Sequence, residues 1–403
     1  MPTVVVLGTM DTKGKELGYV RDVIRAQGVD TLLVDMGVLE PPAVVPDLTR
    51  EEVAATAGID LPALAAGRDR GEAVAAMTRA AAVIARRLYA ERRLDGIISL
   101  GGSAGTTIGT AAMQALPVGV PKVMVSTLAS GDTRPYVGTK DITMMYSVVD
   151  ISGLNRLSRR ILGNAARAVA GMVQAQAEEA AADKPIITAT MFGVTTPCVT
   201  AAREYLEGRG YEVLVFHATG TGGRAMEGLI EDGFVSGVLD ITTTEWCDEL
   251  VGGVLSAGPH RLEAAGKKGI PQVVSVGALD MVNFGPPDTV PEKFKGRRFY
   301  PHNPTVTLMR TTPEECAELG RIIAAKLNAA TGPTVVVLPL KGVSMIDAQG
   351  KPFYDPEADA ALFDALREHL RPDIRLVELD AHINDPEFAL TMARILEELL
   401  EAE

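Results

Sequence analysis

The residues with the clearest chemical content lie in glycine-rich segments that follow short apolar runs. GGSAGTT, residues 101–107, sets Gly101, Gly102 and Gly105 beside the hydroxyls of Ser103, Thr106 and Thr107. Glycines let backbone N–H groups approach an anion, and a helix opening near Thr106 adds its positive end. The segment is neither GxxxxGK[ST] nor GxGxxG, and a tight turn packed on glycine explains it equally well. GTMDTKG, residues 8–14, offers Gly8, Thr9, Asp11, Thr12 and Lys13 on one turn. Lys13 suits a phosphate, and Asp11 suits a metal-bound water or a ribose hydroxyl. The plainer reading is a helix cap with a solvated lysine. Asp35 ends the second apolar run, where a ribose-binding acid sits in dinucleotide folds. Ser130, Gly131 and Asp132 form a turn after the fourth run.

A second group lies in the other half of the chain. HATGTGGR, residues 217–224, brings His217, Thr219, Gly222 and Gly223 to Arg224, whose fork suits a phosphate or carboxylate. Asn303 and Lys341 are further candidates for a small anionic substrate. Glu245, Asp280, His302 and His382 are the candidate proton-transfer residues, because carboxylates and imidazoles exchange protons near neutral pH. Their spacing matches no compact metal motif, so no metal ligands are assigned. Taken singly, each is more readily a packed or solvated residue. Three distant cysteines, Cys198, Cys247 and Cys316, give neither a disulfide framework nor a zinc motif. Cys198, at a helix start but without a histidine nearby in sequence, is a weak candidate nucleophile.

The elements that must position these residues alternate. TVVVLG, DTLLVDMG, DGIISLGG and PKVMVST read as buried strands. Residues 14–28, 72–93 and 153–182 read as helices, the last one ending in the linker EEAAADKP at 178–185. This alternation implies right-handed βαβ crossovers and a mainly parallel sheet. Past the linker the plan restarts. Residues 188–220 parallel 4–37, LDGIISLGG parallels VSGVLDITT, and VPKVMVST parallels IPQVVSVG. The expected fold is therefore α/β, with two Rossmann-like doubly wound domains, 1–182 and 183–403, built on an internal duplication. The polar, proline-rich stretch 279–312 reads as a long ordered connection.

Composition narrows the function classes. The chain has 403 residues, 52 acids against 39 bases for a net charge of −13, 4% aromatics and one Trp. Such a balance disfavours a broad phosphate-backbone binder and a stacking platform, so nucleic acid is not an expected partner. No apolar run approaches the length of a membrane helix, and a soluble, cytoplasmic protein is expected.

GTMDTKGKEL, GGSAGTT, STLASGDTRPYVG, GVTTPCV, HATGTGGRAMEGLI, HNPTVTLMRTT, PLKGVSMID and AHINDP together carry a family resemblance over essentially the whole chain. The sequence resembles the ATP-binding domain family typified by the N-terminal part of a plant tobamovirus-resistance protein. That resemblance implies two Rossmann-like subdomains, self-association into a homo-oligomer, ATP binding by the N-terminal one and an unassigned reaction. It would place ATP against GTMDTKG and GGSAGTT, with Asp35 and the Ser130–Gly131–Asp132 turn nearby; Mg²⁺ on hard oxygen ligands such as Asp11 or Asp132 would offset the phosphate charge. Two other classes stay open: a non-enzymatic, ATP-responsive interaction module, and an enzyme acting on a phosphorylated or carboxylated small molecule without ATP.

Overall fold

The computed structural model describes residues 1–175 and 184–402. The chain forms two compact units, Met1–Ala180 and Ala181–Glu403. The first runs β1 (Thr3–Gly8), α1 (Met10–Arg25), β2 (Asp30–Asp35), α2 (Arg50–Thr56), α3 (Leu61–Gly67), α4 (Arg70–Ala90), β3 (Gly96–Gly101) and α5 (Ser103–Gln114). It closes with β4 (Lys122–Ser126), α6 (Arg134–Val137), β5 (Thr143–Tyr146) and α7 (Arg156–Gln174). The five strands are parallel, in the order β2-β1-β3-β4-β5.

β-branched runs suit strands covered on both faces, and β1 shows why. Val5 and Leu7 enter one apolar cluster, while Val4 and Val6 enter the other. Buried Met77, Ala80, Ala81, Ala85 and Leu88 of α4 follow helical spacing into the first cluster. Leu162, Ala165, Ala166 and Val169 of α7 do the same in the second. Both alanine-rich faces are thus used inside the unit. Helix α7 begins later than the sequence suggests, at a capping box of Asn155 and Ser158. Residues 176–182 of the expected helix, and 178–183 of the expected linker, lie outside the described residues.

The second unit runs β6 (Ile186–Met191), α8 (Thr196–Gly208), β7 (Glu212–His217), α9 (Thr221–Asp232), β8 (Gly237–Thr242), α10 (Glu245–Val251), α11 (Ala264–Lys268) and β9 (Gln272–Gly277). There follow β10 (Met281–Phe284), β11 (Phe299–Asn303), β12 (Val306–Arg310), α12 (Pro313–Asn328), β13 (Thr334–Pro339), α13 (Pro356–His369), β14 (Arg375–Leu379) and α14 (Pro386–Glu401). Its main sheet, also parallel, has the order β14-β13-β9-β8-β6-β7. Read from β7, the first five strands repeat the order of the first unit, and β6, β7, β8 and β9 are the segments that the sequence pairs with β1, β2, β3 and β4.

The stretch 279–312 is more than a connection. It contains the antiparallel sheet β10-β12-β11. Its prolines fall largely in turns, while Val282 and Met309 pair across the ladder and enter a core cluster. The polar turns mask this apolar pairing in the sequence.

In both units the first crossover goes to one side of the opening strand and the next to the other. In such open sheets a crevice forms at the carboxyl ends of the strands flanking the reversal. In the first unit these are β1 and β3, paired through Val4–Leu7 and Gly96–Ser99, so GTMDTKG and GGSAGTT leave adjacent strands. Helix α5 rides close on β3, since a Cβ on Gly109 would lie 2.4 Å from Ser99 Oγ and 3.0 Å from Met124 Sδ. Gly109→Ala should therefore overpack this contact and cost about 1–3 kcal/mol in urea unfolding.

Candidate functional site

Strand ends and helix starts meet at the crevice of the first unit, and each helix start brings backbone N–H groups with no partner inside the helix. Most are met by the chain itself. Asp35 is wholly buried and takes N–H bonds from Met10, at 3.0 Å, and Gly37, at 2.8 Å, on one oxygen. Its other oxygen takes Arg50 Nε at 3.1 Å. The structure thus differs from the expected ribose contact: Asp35 caps α1 and holds the turn after β2. Asp11 is likewise turned toward that loop, accepting from the N–H groups of Val38 and Leu39, both at 3.2 Å, on Oδ2. Its Oδ1 has no hydrogen-bond partner. Lys13 breaks the helical backbone at φ −126°, ψ 15°, and its ammonium donates to the Ile151 carbonyl. Thr9 and Thr12 bond hydroxyl to hydroxyl at 2.8 Å, and Gly8 packs against Leu17.

The start of α5 is different. Gly102 is its N-cap and offers no side chain. The first internal bond runs from Thr106 N–H to the Gly102 carbonyl. Among the described residues no protein acceptor meets the amides of Ser103, Ala104 or Gly105. The turn is held tight from behind, because a Cβ on Gly101 would lie 2.8 Å from the Gly105 Cα. Thr106 is buried and shares a 2.7 Å hydrogen bond with Ser126 Oγ, so its hydroxyl ties α5 to β4. Thr107 donates back to the Ser103 carbonyl. Ser130, Gly131 and Asp132 are exposed. Asp132 is paired with Arg134 at 2.7 Å, and those hydrogen bonds hold its carboxyl down at about 2.

In the second unit Glu245, which follows β8 at the reversal, fills the start of the helix after β7. Glu245, 1% exposed, accepts N–H bonds from Gly220 at 2.7 Å and Gly223 at 3.1 Å, and takes Arg261 Nε at 2.7 Å. The start of α9 is therefore an anion site occupied by the chain's own carboxylate. A Cβ on Gly222 would lie 1.9 Å from the His217 carbonyl oxygen, and one on Gly223 would lie 2.2 Å from Glu245 Oε2. The glycines of this turn make that closure possible. Arg261 also binds Asp240, with Nη2 2.6 Å from Oδ1, and Glu227, with Nη1 3.2 Å from Oε1. Buried among these acids, its guanidinium is held well above its ordinary pKa. Glu245, a candidate proton-transfer residue in the sequence, is thus held inside this buried ion cluster.

The remaining nominated residues separate into three places. His217 is exposed and stacks edge-on with Phe192, their ring centroids 5.4 Å apart, while Thr219 bonds back to the His217 carbonyl. Arg224 is exposed near the start of α9. Lys341 pairs with Asp380 at 2.8 Å. His382 Nδ1 accepts the Asn384 N–H, so Nε2 donates to the Ser344 carbonyl at 2.8 Å, and Ser344 Oγ donates to Asp280 Oδ2, also at 2.8 Å. His382 and Asp280 are thus joined through Ser344. His302 and Asn303 stand apart on the exposed end of β11, where Asn303 bonds only to Thr305. The three thiols are buried, and burial pushes Cys198 up to about 12.

Profiles of the N-terminal and C-terminal domains of an uncharacterised protein family, UPF0261, match residues 2–178 and 184–400. The chain belongs to UPF0261. It is 58% identical to a UPF0261 protein of Clostridium tetani over 399 residues, covering 99% of each chain. It is 55% identical to one of Rhizobium meliloti over 391 residues, covering 96% of this chain and 97% of that one. The ToMV susceptible protein tm-1(GCR26) of Solanum lycopersicum is 44% identical over 415 residues, which cover 96% of this chain but 54% of the tomato protein. Among solved structures, a UDP-N-acetylglucosamine 2-epimerase from Rickettsia bellii aligns with 100% of this chain and 96% of its own, at 10% identity and a TM-score of 0.22. No helix among the described residues is long and apolar enough to cross a membrane.

In this UPF0261 chain, sequence reasoning missed the basic partners of its nominated acids. Arg50 and Arg261 lie outside the strand-to-helix glycine turns, 15 and 16 residues from the acids they pair with. A lone basic residue between helices gives no motif, and only the depth of the acids could have called for a counter-charge. Arg261→Ala should leave Asp240 and Glu245 buried without their cation and destabilise the chain by about 3–5 kcal/mol in urea unfolding.

Proposed function

We propose that the first unit binds ATP at the crevice between β1 and β3, with the phosphates on the start of α5. The observation that carries this reading is the set of unmet amides at Ser103, Ala104 and Gly105, set at the strand reversal. Backbone N–H groups at a helix start attract phosphate through hydrogen bonds and through the helix dipole. Gly102 leaves room above the turn, since a Cβ there would meet only Thr127 Oγ1, at 3.7 Å. Ser103 adds an exposed hydroxyl. Mg²⁺ would offset the charge of the phosphates when bound. It is commonly held by one or two carboxylates together with phosphate oxygens, and Asp11, with one oxygen unmet, fits that part. No group of three or more His, Cys, Asp or Glu among the described residues is placed to cage a metal unaided. Asp35 and Asp132 already have arginine partners and are left out of the site.

For the second unit the reading keeps only the exposed groups, His217, Arg224 and Lys341, for a small anionic ligand, since Glu245 already fills the start of α9. We also propose self-association. The apolar faces of α4 and α7 are packed within the first unit, so it would use other surface.

Thermal unfolding with ATP, ADP and NAD, each with and without Mg²⁺, tests the reading. ATP with Mg²⁺ at about 100 times its dissociation constant should add roughly 2.7 kcal/mol. The Gly102 backbone, at φ −80°, accepts a side chain. Gly102→Val should therefore leave the midpoint without ligand in place and remove the ATP shift. A shift retained in full by this variant, or absent from the parent chain, overturns the proposal. ATP turnover in the same samples separates an enzyme from a nucleotide-responsive binding protein.

A further inference from the structure

In the second unit three carboxylates surround one guanidinium at the carboxyl edge of the sheet. Asp280 follows β9, Asp347 follows β13, Asp359 lies on α13 and Arg310 ends β12. Their exposures are 0%, 0%, 7% and 3%. Arg310 Nη2 lies 2.6 Å from Asp359 Oδ1 and 3.6 Å from Asp347 Oδ1. The remaining donors of Arg310 go largely to neutral oxygens, Nε to the Phe353 carbonyl and Nη1 to Thr311 Oγ1. Asp280 Oδ2 takes the Ser344 hydroxyl and Asp347 Oδ2 takes the Val343 N–H. Asp280 Oδ1 and Asp347 Oδ1 have no hydrogen-bond donor.

The count of charges does not balance. Three ionised carboxylates beside one guanidinium would leave two uncompensated negative charges in the interior, a state that proteins avoid by retaining protons. Other groups facing the cluster do not correct this. Burial pushes the Cys316 thiol of α12 up to about 11 and the Cys247 thiol of α10 well above its usual range, so both stay neutral. Asp248 of α10 is itself bound to Asn283. His382 reaches the cluster only through Ser344, and Arg298 pairs with Asp355, at the start of α13. A proton on Asp280 Oδ1 would relieve that unmet oxygen of its need for a donor. It would also remove one of the excess charges.

We propose that Asp280 holds a proton at neutral pH, and that its loss at higher pH loosens residues 341–347 from the turn after β9. The same residues are bonded to neighbouring loops of this edge, Gly342 and Ser344 to the segment after β14, through Ile383 N–H and His382 Nε2, and Met345 to the Val194 carbonyl. The proton is therefore a latch on the loops that carry Lys341 and His382. Burial and the neighbouring Asp347 push the Asp280 carboxyl up to about 7, and Asp359 is raised to about 8 with burial as its largest cause. Because the folded chain binds this proton more tightly than the unfolded chain, its contribution is complete below the ordinary carboxyl range. It is lost as pH rises through about 7.

Asp280→Asn tests the latch, because its amide is neutral at every pH, as the protonated acid is. Relative to the parent chain, the folding constant of D280N should rise between about pH 5 and pH 7, by up to about tenfold per pH unit, and then level off. In infrared spectra of the parent chain at pH 6, a protonated-carboxyl band should be present that weakens by pH 9, and D280N should lack that component. Should D280N fail to fold, Asp347→Asn removes the neighbouring charge that helps to hold the Asp280 carboxyl up and should remove the same component at pH 6. A stability difference that is flat with pH, or an infrared component that neither variant removes, overturns the proposal.

Discussion

A helix start leaves amide groups that something must meet, and much of this protein can be read as the way each start is met. At the carboxyl edges of the two sheets the chain supplies its own acceptors. Asp35 serves α1, Glu245 serves α9, Glu227 serves α11, and Asn384 reaches across to the Cys198 amide of α8. Each such acceptor draws in further structure. Asp35 and Glu245 are too deep to stand alone, so Arg50 and Arg261 are buried with them, and Arg261 in turn gathers Asp240 and Glu227. The start of α5 stands apart, with three consecutive amides and no side chain turned back to meet them.

The contrast between the units follows from their shared plan. Both place a reversal between the first strand and the third, and both put helix starts there. In the first unit the strand-to-helix turn is built from small residues that pack beneath it and leave the space above clear. In the second unit Thr195 and Thr242 bond across the reversal at 2.8 Å, Thr190 reaches Asp240, and Glu245 closes the glycine turn beside it. One unit thus carries a helix start with unmet amides and the other a glycine turn that is internally filled. The second unit's ionisable groups act mainly on one another, and the Asp280–Asp347–Arg310 cluster is the deepest instance.

Much of this was legible in the sequence. The Val4–Leu7 and Gly96–Leu100 runs and the alanine spacing of α4 fixed strands and helices through periodicity alone. The matching order of runs in the two halves pointed to the repeated plan that the strand orders show. Periodicity failed over 279–312, where a proline-rich surface hides three short strands that earn their place through pairing with one another. Among the candidate site residues, those in glycine turns were found because glycine marks close approach. The acids were found, but their partners were not. Whether Asp35 or Glu245 faces solvent or an arginine depends on contacts made across 15 or 16 residues, and no local pattern records such distances.

The central claim is that phosphate is held by the start of α5 and not by the glycine turn of the second unit. Amide hydrogen exchange of the full chain with and without ATP and Mg²⁺ tests it most directly. The account predicts slowed exchange in peptides spanning residues 101–107 and 9–14, with residues 217–224 unchanged. Slowed exchange confined to 217–224, or no change in 101–107 at saturating ATP, would contradict it.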